Sequence, residues 1–164
     1  AMALLSNTST YAIRAALEVA TQRPVPGEFV STRKVADDLG VPFAFLTKVL
    51  QGLTRSGILL SQRGAGGGVA LARAADTITL LDVLAAIGAD GVFRDCVLGL
   101  PTCSDVTPCA LHAAWREQRA QLQALFTKTT LADLAAGTRP TILLDDFSPA
   151  VSTNDRRPRT RRTT

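Results

Sequence analysis

The stretch VPFAFLTKVLQGLTRSGILLSQRGAGGGVALAR, residues 41–73, predicts a helix followed by a β-hairpin. Its apolar residues recur at the spacing of one buried helix face: Leu46, Val49, Leu50 and Leu53. Pro42 suits the first position of that helix, and Gly57 ends it. ILLS and VALA then predict two short strands around QRGAGGG, whose glycines tolerate positive backbone angles. Together they are typical of a recognition helix with a wing.

Two further helices precede this stretch. Apolar residues at helical spacing predict a first helix over residues 9–22, and Ser31 or Thr32 caps a short second helix that ends at Gly40. Short helices joined by a turn that contains glycine form a helix-turn-helix unit, whose second helix lies in the DNA major groove. We therefore predict a mainly α fold with a small β-hairpin wing, in which residues 2–78 form a winged helix-turn-helix DNA-binding domain.

Positive charge is concentrated at the two ends of the chain. Residues 1–73 carry eight Lys and Arg against four Asp and Glu, residues 74–151 carry five against nine, and residues 152–164 carry five Arg against one Asp. A basic front segment favours contact with nucleic acid, although an ordinary solvated surface has a similar composition.

The predicted DNA contacts lie near the second helix, on the solvent face of the third helix and at the tip of the wing. Lys48 and Gln51 reach base edges or phosphates, and Arg63 suits a narrow minor groove. One of the two phenylalanines of the third helix is expected to lie in the core. The predicted DNA-contacting residues are Arg33, Pro42, Phe43, Phe45, Thr47, Lys48, Gln51, Arg63, Gly64, Gly66 and Gly67.

All three cysteines and the only histidine fall within CVLGLPTCSDVTPCALH, residues 96–112. Clustered thiols typically bind a metal or sense oxidants, and thiolates are the usual ligands of iron–sulfur clusters. Zinc accepts the same donors, but cysteine spacings of six and five residues are looser than those of typical zinc sites. A metal-free thiol switch also stays open. An enzyme nucleophile is disfavoured because no third orienting group is visible, and Asp95 and Asp105 are interpreted as solvated surface acids.

A long helix is predicted after the cysteine segment and lasts to about residue 128. It is longer than the small domain needs for its own core, which favours a dimerisation helix, although it could also pack back on the winged domain. We assign residues 79–136 to the cysteine loop and this helix, and residues 137–164 to a mostly disordered basic tail. The residues predicted to form the dimer contact are Leu111, Trp115, Leu122, Leu125 and Phe126.

Residues 4–136 resemble the Rrf2 family of winged-helix regulators, and within it the IscR-type branch. The resemblance is carried by RGAGGGVALAR, by TITLLDVLAAI, and by CALHAAWREQRAQL with TLADL. It implies a homodimeric repressor that binds promoter DNA under the control of an iron–sulfur cluster sensing iron, redox state or nitric oxide. It also implies that the cluster ligands are Cys96, Cys103, Cys109 and His112, with a two-iron cluster favoured over a four-iron cluster.

Three departures from the family pattern bear on this reading. Six residues separate Cys96 from Cys103, one more than the IscR-type pattern usually has. The NsrR-like branch, our second choice, can use an acid near the start of the first helix as fourth ligand, but no Asp or Glu precedes Glu18. Thr47 also stands where IscR-type proteins carry an acid in the recognition helix. Alternative interpretations are a regulator held by zinc or switched by thiols, and an interaction module that does not bind DNA.

The chain has no run of 18 apolar residues and no signal-peptide pattern, so we expect a cytoplasmic protein without a membrane partner. We expect neither enzymatic activity nor a small-molecule substrate.

Overall fold

A computed structural model describes residues 4–137 of the chain. Helices α1 (Asn7–Gln22), α2 (Thr32–Leu39) and α3 (Phe43–Arg55) make up the first half. Helix α1 begins two residues before the predicted start because Ser6 is its N-cap, with the Ser6 side chain accepting a hydrogen bond from the Ser9 amide at 3.1 Å. The helix-turn-helix order predicted from the sequence is present.

Gly40 makes the turn between α2 and α3. Its φ of +62° is left-handed, and its amide closes α2 by bonding to carbonyls of Ala36 and Asp37. This geometry favours glycine, because a side chain is strained at a positive φ. The turn sets α3 against α2 and leaves the solvent face of α3 open.

The wing is an antiparallel hairpin of β1 (Leu59–Gln62) and β2 (Gly68–Leu71). Its register pairs Leu59 with Leu71 and Gln62 with Gly68. An isolated bridge between Val30 and Val69 ties the hairpin to the segment before α2. Gly68 lies so close to this segment that a Cβ atom built on it would be 1.9 Å from the Val30 carbonyl oxygen. The second strand is therefore held tightly where it leaves the tip of the wing.

A single hydrophobic core joins the two halves of the described chain. Helices α4 (Leu80–Ala86) and α6 (Leu131–Gly137) both pack on α1. Ile78, Val83 and Leu131 are fully buried in the same cluster as the apolar faces of α1 and α3. Residues on both sides of position 78 therefore share one core.

Helix α5 (His112–Lys128) differs from the others because none of its residues is fully buried. It has 17 residues and is about 26 Å long at 1.5 Å per residue. It packs on α4 and on the 3₁₀ turn Asp90–Phe93, where the rings of Phe93 and Phe126 lie 5.2 Å apart. No helix among residues 4–137 is long and apolar enough to cross a membrane. The predicted basic tail lies outside the described residues, apart from Gly137, which ends α6.

Candidate metal centre and DNA-binding surface

The cysteine loop runs from the 3₁₀ turn Asp90–Phe93 to the start of α5. Gly99 turns the chain with a φ of +67°, and its amide donates to the Cys96 carbonyl at 2.9 Å. At the other end the His112 amide donates to the Cys109 carbonyl at 3.0 Å. These local turns bring both ends of the loop to the first turn of α5, where the half-buried cysteines face one another.

The three thiols form one compact group. The sulfur atoms of Cys96, Cys103 and Cys109 lie within 4.8 Å of one another, and those of Cys96 and Cys109 are 3.8 Å apart. Two sulfur atoms bound to one tetrahedral metal ion through bonds of about 2.3 Å would also lie about 3.8 Å apart. The three cysteines, His112 and neighbouring residues line a cavity of about 180 Å³. Its donor set fits a metal centre of either the zinc or the iron–sulfur kind.

The imidazole of His112 completes this group from α5. Its Nδ1 atom lies 3.3 Å from the Cys103 sulfur, and its Nε2 atom lies 2.9 Å from Asp105 Oδ1. Arg116 Nη1 donates to the same Asp105 oxygen at 3.1 Å. The interpretation of Asp105 as a solvated surface acid is therefore incomplete, because this exposed carboxylate bonds to the histidine and to an arginine of α5.

The thiols differ in their ionisation. Hydrogen bonds from the backbone amides of Leu100 and, more weakly, Leu98 lower the pKa of Cys96 and outweigh the effect of burial. The Cys109 amide lowers the pKa of Cys103, but burial and the neighbouring thiols of Cys109 and Cys96 outweigh it and raise the pKa overall. Cys96 is therefore the thiol that ionises more readily of these two.

A Cys103–His112–Asp105 arrangement resembles a nucleophile, its base and an orienting acid. Asp105 thus orients the imidazole, a role that the sequence alone does not indicate. The raised pKa of Cys103 nevertheless disfavours an activated nucleophile, which requires a stabilised thiolate.

Two hydrogen bonds connect the entrance of the loop to α5. The Trp115 indole N–H donates to the Asp95 carbonyl at 3.0 Å. Arg119 donates to the Arg94 carbonyl at 2.5 Å and approaches the Asp95 carbonyl at 3.4 Å. The residue next to Cys96 is thus tied directly to the middle of α5.

The residues predicted for the dimer contact differ in their exposure. Leu111, which caps the helix, and Leu125 are 47% and 57% exposed. Trp115, Leu122 and Phe126 are half-buried, and Phe126 packs on the chain's own Phe93. The assignment of this helix to dimerisation stays a prediction.

Helix α3 presents a mixed basic and aromatic surface. Lys48, Gln51 and Pro42 are exposed, and Phe43 is 42% exposed with the Arg33 guanidinium 4.6 Å above its ring. The same face carries two less accessible residues among those predicted to contact DNA.

Phe45 and Thr47 are these two residues. Phe45 is half-buried against the core and meets the ring of Tyr11 edge-on at 5.5 Å. Thr47 is half-buried, and its hydroxyl donates to the Phe43 carbonyl at 2.8 Å. Phe45 is therefore the phenylalanine that belongs to the core.

A groove of about 460 Å³ separates α3 from the wing. Gln51 and Arg55 line it from α3, and Arg63 lines it from the wing. The tip turns through Gly64 and Gly66, whose φ values are +93° and +74°. Arg55 is not among the DNA contacts predicted from the sequence. Its position in this groove beside Gln51 adds a second cation to the surface.

The family model described as "Iron-dependent Transcriptional regulator", Rrf2, matches residues 5–137 of the chain. The chain belongs to the Rrf2 family. It is accordingly a transcriptional regulator rather than an enzyme, and its mostly helical fold with a two-stranded wing is that of the family.

Individual relatives of this Rrf2 chain agree with the family match. An HTH-type transcriptional regulator of Mycobacterium tuberculosis is 37% identical over 154 residues, covering 91% of this chain and 93% of the relative. The regulator IscR of Erwinia tasmaniensis is 30% identical over 133 residues, covering 79% and 77%. Among solved structures, CymR, the global cysteine regulator of Bacillus subtilis, superposes with a TM-score of 0.69 at 25% identity, covering 84% of this chain and 100% of CymR. The resemblance to the Rrf2 family is confirmed.

Sequence reasoning missed three contacts of this Rrf2 regulator: Asp105 with His112, Arg116 with Asp105, and Trp115 with Asp95. The first two carry a weak signal in the sequence, since an acid lies between two cysteines and an arginine lies one turn after the histidine. The third carries none, because the acceptor is a backbone carbonyl 20 residues away.

Proposed function

We propose that this Rrf2 regulator is a homodimeric, cytoplasmic repressor whose promoter binding is governed by an iron–sulfur cluster. Cys96, Cys103, Cys109 and His112 would hold the cluster. The observation that carries the proposal is the grouping of three thiols within 4.8 Å, with an imidazole nitrogen 3.3 Å from one of them. Histidine also replaces part of the cysteine ligation in two-iron Rieske centres, so a mixed ligand set is compatible with the two-iron cluster that we favour. When bound, the cluster supplies a redox centre that reacts with oxidants and nitric oxide.

DNA recognition is assigned to α3 and the wing. Lys48 and Gln51 face the major groove, while Arg63 at the wing addresses the adjacent minor groove. Arg55, between them in the groove of about 460 Å³, is positioned for a phosphate. Two copies of the chain would read half-sites separated by about one helical turn or a multiple of it.

The chain couples the thiol group to α5 through its own hydrogen bonds. Cys96 follows Asp95, whose carbonyl accepts from Trp115 and lies near Arg119. Any displacement of Cys96 therefore moves an acceptor that α5 holds. Because α5 also presents Leu111 and Leu125 as an exposed apolar edge, movement of this helix would change the spacing of two paired copies.

The first test is the visible absorption spectrum with iron, sulfide and zinc analysis of protein purified without oxygen. We expect iron and sulfide in the parent protein and their loss in Cys96→Ala, Cys103→Ala, Cys109→Ala and His112→Ala. Thr102→Ala, in the same exposed loop, is the matched control and should keep the parent spectrum. A colourless parent that holds one zinc ion, or no metal after anaerobic reconstitution, would overturn the cluster.

A thiol switch is the second candidate, and the 3.8 Å separation of the Cys96 and Cys109 sulfur atoms favours it. These atoms need to approach by less than 2 Å to reach the bond length of about 2.05 Å in a disulfide. The Cys96 thiol, which ionises more readily than that of Cys103, would attack the oxidant diamide first, and the Cys109 thiol would then displace the reduced diamide to form the disulfide. Mass spectrometry of metal-free protein treated with diamide should then find a Cys96–Cys109 disulfide. A metal-free protein that keeps three free thiols after this treatment would eliminate the switch.

A further inference from the structure

His112 is held between a thiol and a carboxylate by its two ring nitrogens. Nδ1 lies 3.3 Å from the Cys103 sulfur, and Nε2 lies 2.9 Å from Asp105 Oδ1. The imidazole side chain is only 16% exposed, so the ring is confined in this orientation. It is also the only histidine of the chain, which makes its ring directly observable.

The two contacts place different demands on the ring. An ionised carboxylate only accepts hydrogen bonds, so the nitrogen that faces Asp105 has to carry the hydrogen. Neutral imidazole has a single N–H, and Nδ1 is then left with a free lone pair directed at the thiols. A metal ligand needs this lone pair. The arrangement therefore presents Nδ1 to the thiol group before any metal is bound.

Arg116 holds the carboxylate that orients the ring. It lies one turn after His112 on α5, and its Nη1 atom donates at 3.1 Å to the same Asp105 oxygen that faces Nε2. The side chain of Asp105 is itself 75% exposed, and the residues on each side of it are exposed as well. Without Arg116, little else among the described contacts would keep this carboxylate at the ring.

We propose that Asp105, anchored by Arg116, is a positioning residue that fixes His112 as an Nδ1 ligand of the metal centre. The proposal rests on the proposed function, because it assumes that the thiols and His112 share a metal. Carboxylates that hold the second nitrogen of a ligating histidine orient the ring, and their loss typically weakens metal binding by about 10- to 100-fold. Asp105 and Arg116 thereby fix the orientation of the His112 ring relative to α5, the helix that is proposed to respond to the state of the metal centre.

The direct test is ¹⁵N NMR of the imidazole in the metal-free, full-length protein, at a pH where the ring is neutral. One histidine gives one pair of ring signals, and we expect the tautomer with hydrogen on Nε2. Asp105→Ala should give a mixture of tautomers, whereas Asp105→Glu keeps an acceptor-only carboxylate and should preserve the parent tautomer. Glu117→Ala, an exposed acid on α5, is the control. An unchanged single tautomer in Asp105→Ala would overturn the proposal.

A second measurement separates this proposal from the proposed function. In protein reconstituted with iron and sulfide, we expect a chelator to remove iron about 10- to 100-fold faster from Asp105→Ala than from the parent, with a smaller effect in Arg116→Ala. Iron retained equally by the parent and Asp105→Ala would overturn the role of Asp105 alone. A parent protein that takes up no metal at all would overturn the proposed function and, with it, the ligand role of His112.

Discussion

Under the proposed function, replacing Trp115 by phenylalanine is expected to weaken the coupling between the metal centre and DNA binding while leaving both intact. The change keeps an aromatic ring in place and removes the indole N–H, which donates to the Asp95 carbonyl at 3.0 Å. Arg119 approaches the same carbonyl at only 3.4 Å and already donates to the Arg94 carbonyl, so it replaces the lost bond poorly. The entrance of the loop, next to Cys96, is then less firmly tied to α5.

The magnitude follows from the single hydrogen bond that is lost. Such a bond contributes about 1 kcal/mol net, which corresponds to about a fivefold change in an equilibrium constant. Coupling free energies between two sites are typically about 1 to 3 kcal/mol, so one bond is a substantial share of the total. If each copy in a dimer contributes, the promoter Kd ratio of metal-free to metal-loaded protein should move toward 1 by about fivefold to 25-fold.

The assay measures promoter Kd for both forms at one salt concentration, with Gln123→Ala as an exposed control on α5. Metal content and the visible spectrum of Trp115→Phe should match the parent, which separates coupling from loss of the centre. A Kd ratio equal to that of the parent, with the metal retained, would refute the coupling through Trp115.

Three further changes test the DNA surface, the wing and the dimer. Lys48→Ala and Arg63→Ala should each reduce the magnitude of the slope of log K for promoter binding against log salt concentration by about 0.9 per chain, or about 1.8 per dimer. Fluorescence anisotropy measures this slope, and an unchanged slope would place these residues away from phosphates. Gly68→Ala should lower the free energy of unfolding, measured by urea denaturation, by at least about 1 to 3 kcal/mol. Residue 68 has a φ of +144°, and the new Cβ atom would lie 1.9 Å from a backbone oxygen. Gly137→Ala is the control and should leave the stability nearly unchanged, because a Cβ atom there meets nothing within 4 Å. Leu125→Asp should shift the protein from dimers to monomers in analytical ultracentrifugation, because it would bury an unpaired charge in the dimer contact. It should not unfold the chain, since Leu125 is 57% exposed. A dimer as stable as that of the parent would exclude this edge of α5 from the contact.

Local patterns explain why the winged-helix half was predictable. The buried face of α3 and the glycine turn at Gly40 depend on neighbouring residues, and both appear as the sequence indicates. The start of α1 was misplaced because Asn7 and Thr8 are polar and give no apolar signal, while the cap lies one residue earlier at Ser6. Such errors are confined to element ends, where the signal comes from single residues.

Contacts between distant residues could not be predicted in the same way. Leu131 is fully buried and packs in the core with residues of α1, yet its pattern only indicates a short helix. The grouping of the thiols follows from turns at Gly99 and before His112, and their spacing along the chain does not determine the 3.8 Å distance. The sequence predicts which residues belong to the candidate metal site, whereas the conformation of the loop determines the distances between their sulfur atoms.

The position of the thiol group in the fold determines what it can regulate. Residues 97–102 and 104–108 are all exposed, so this loop has little apolar burial of its own and depends on the thiols, His112 and the contacts to α5 for its order. Helix α3, in contrast, is fixed by fully buried Leu46 and Leu53 in the shared core. A displacement of the thiols can therefore move the loop and α5 at a low cost in free energy, whereas the recognition helix keeps its place in the core of its own chain. Under the proposed function, regulation would then change the relative position of the two recognition helices in the dimer while each helix keeps its structure. A single half-site should therefore be bound equally by the metal-free and metal-loaded forms.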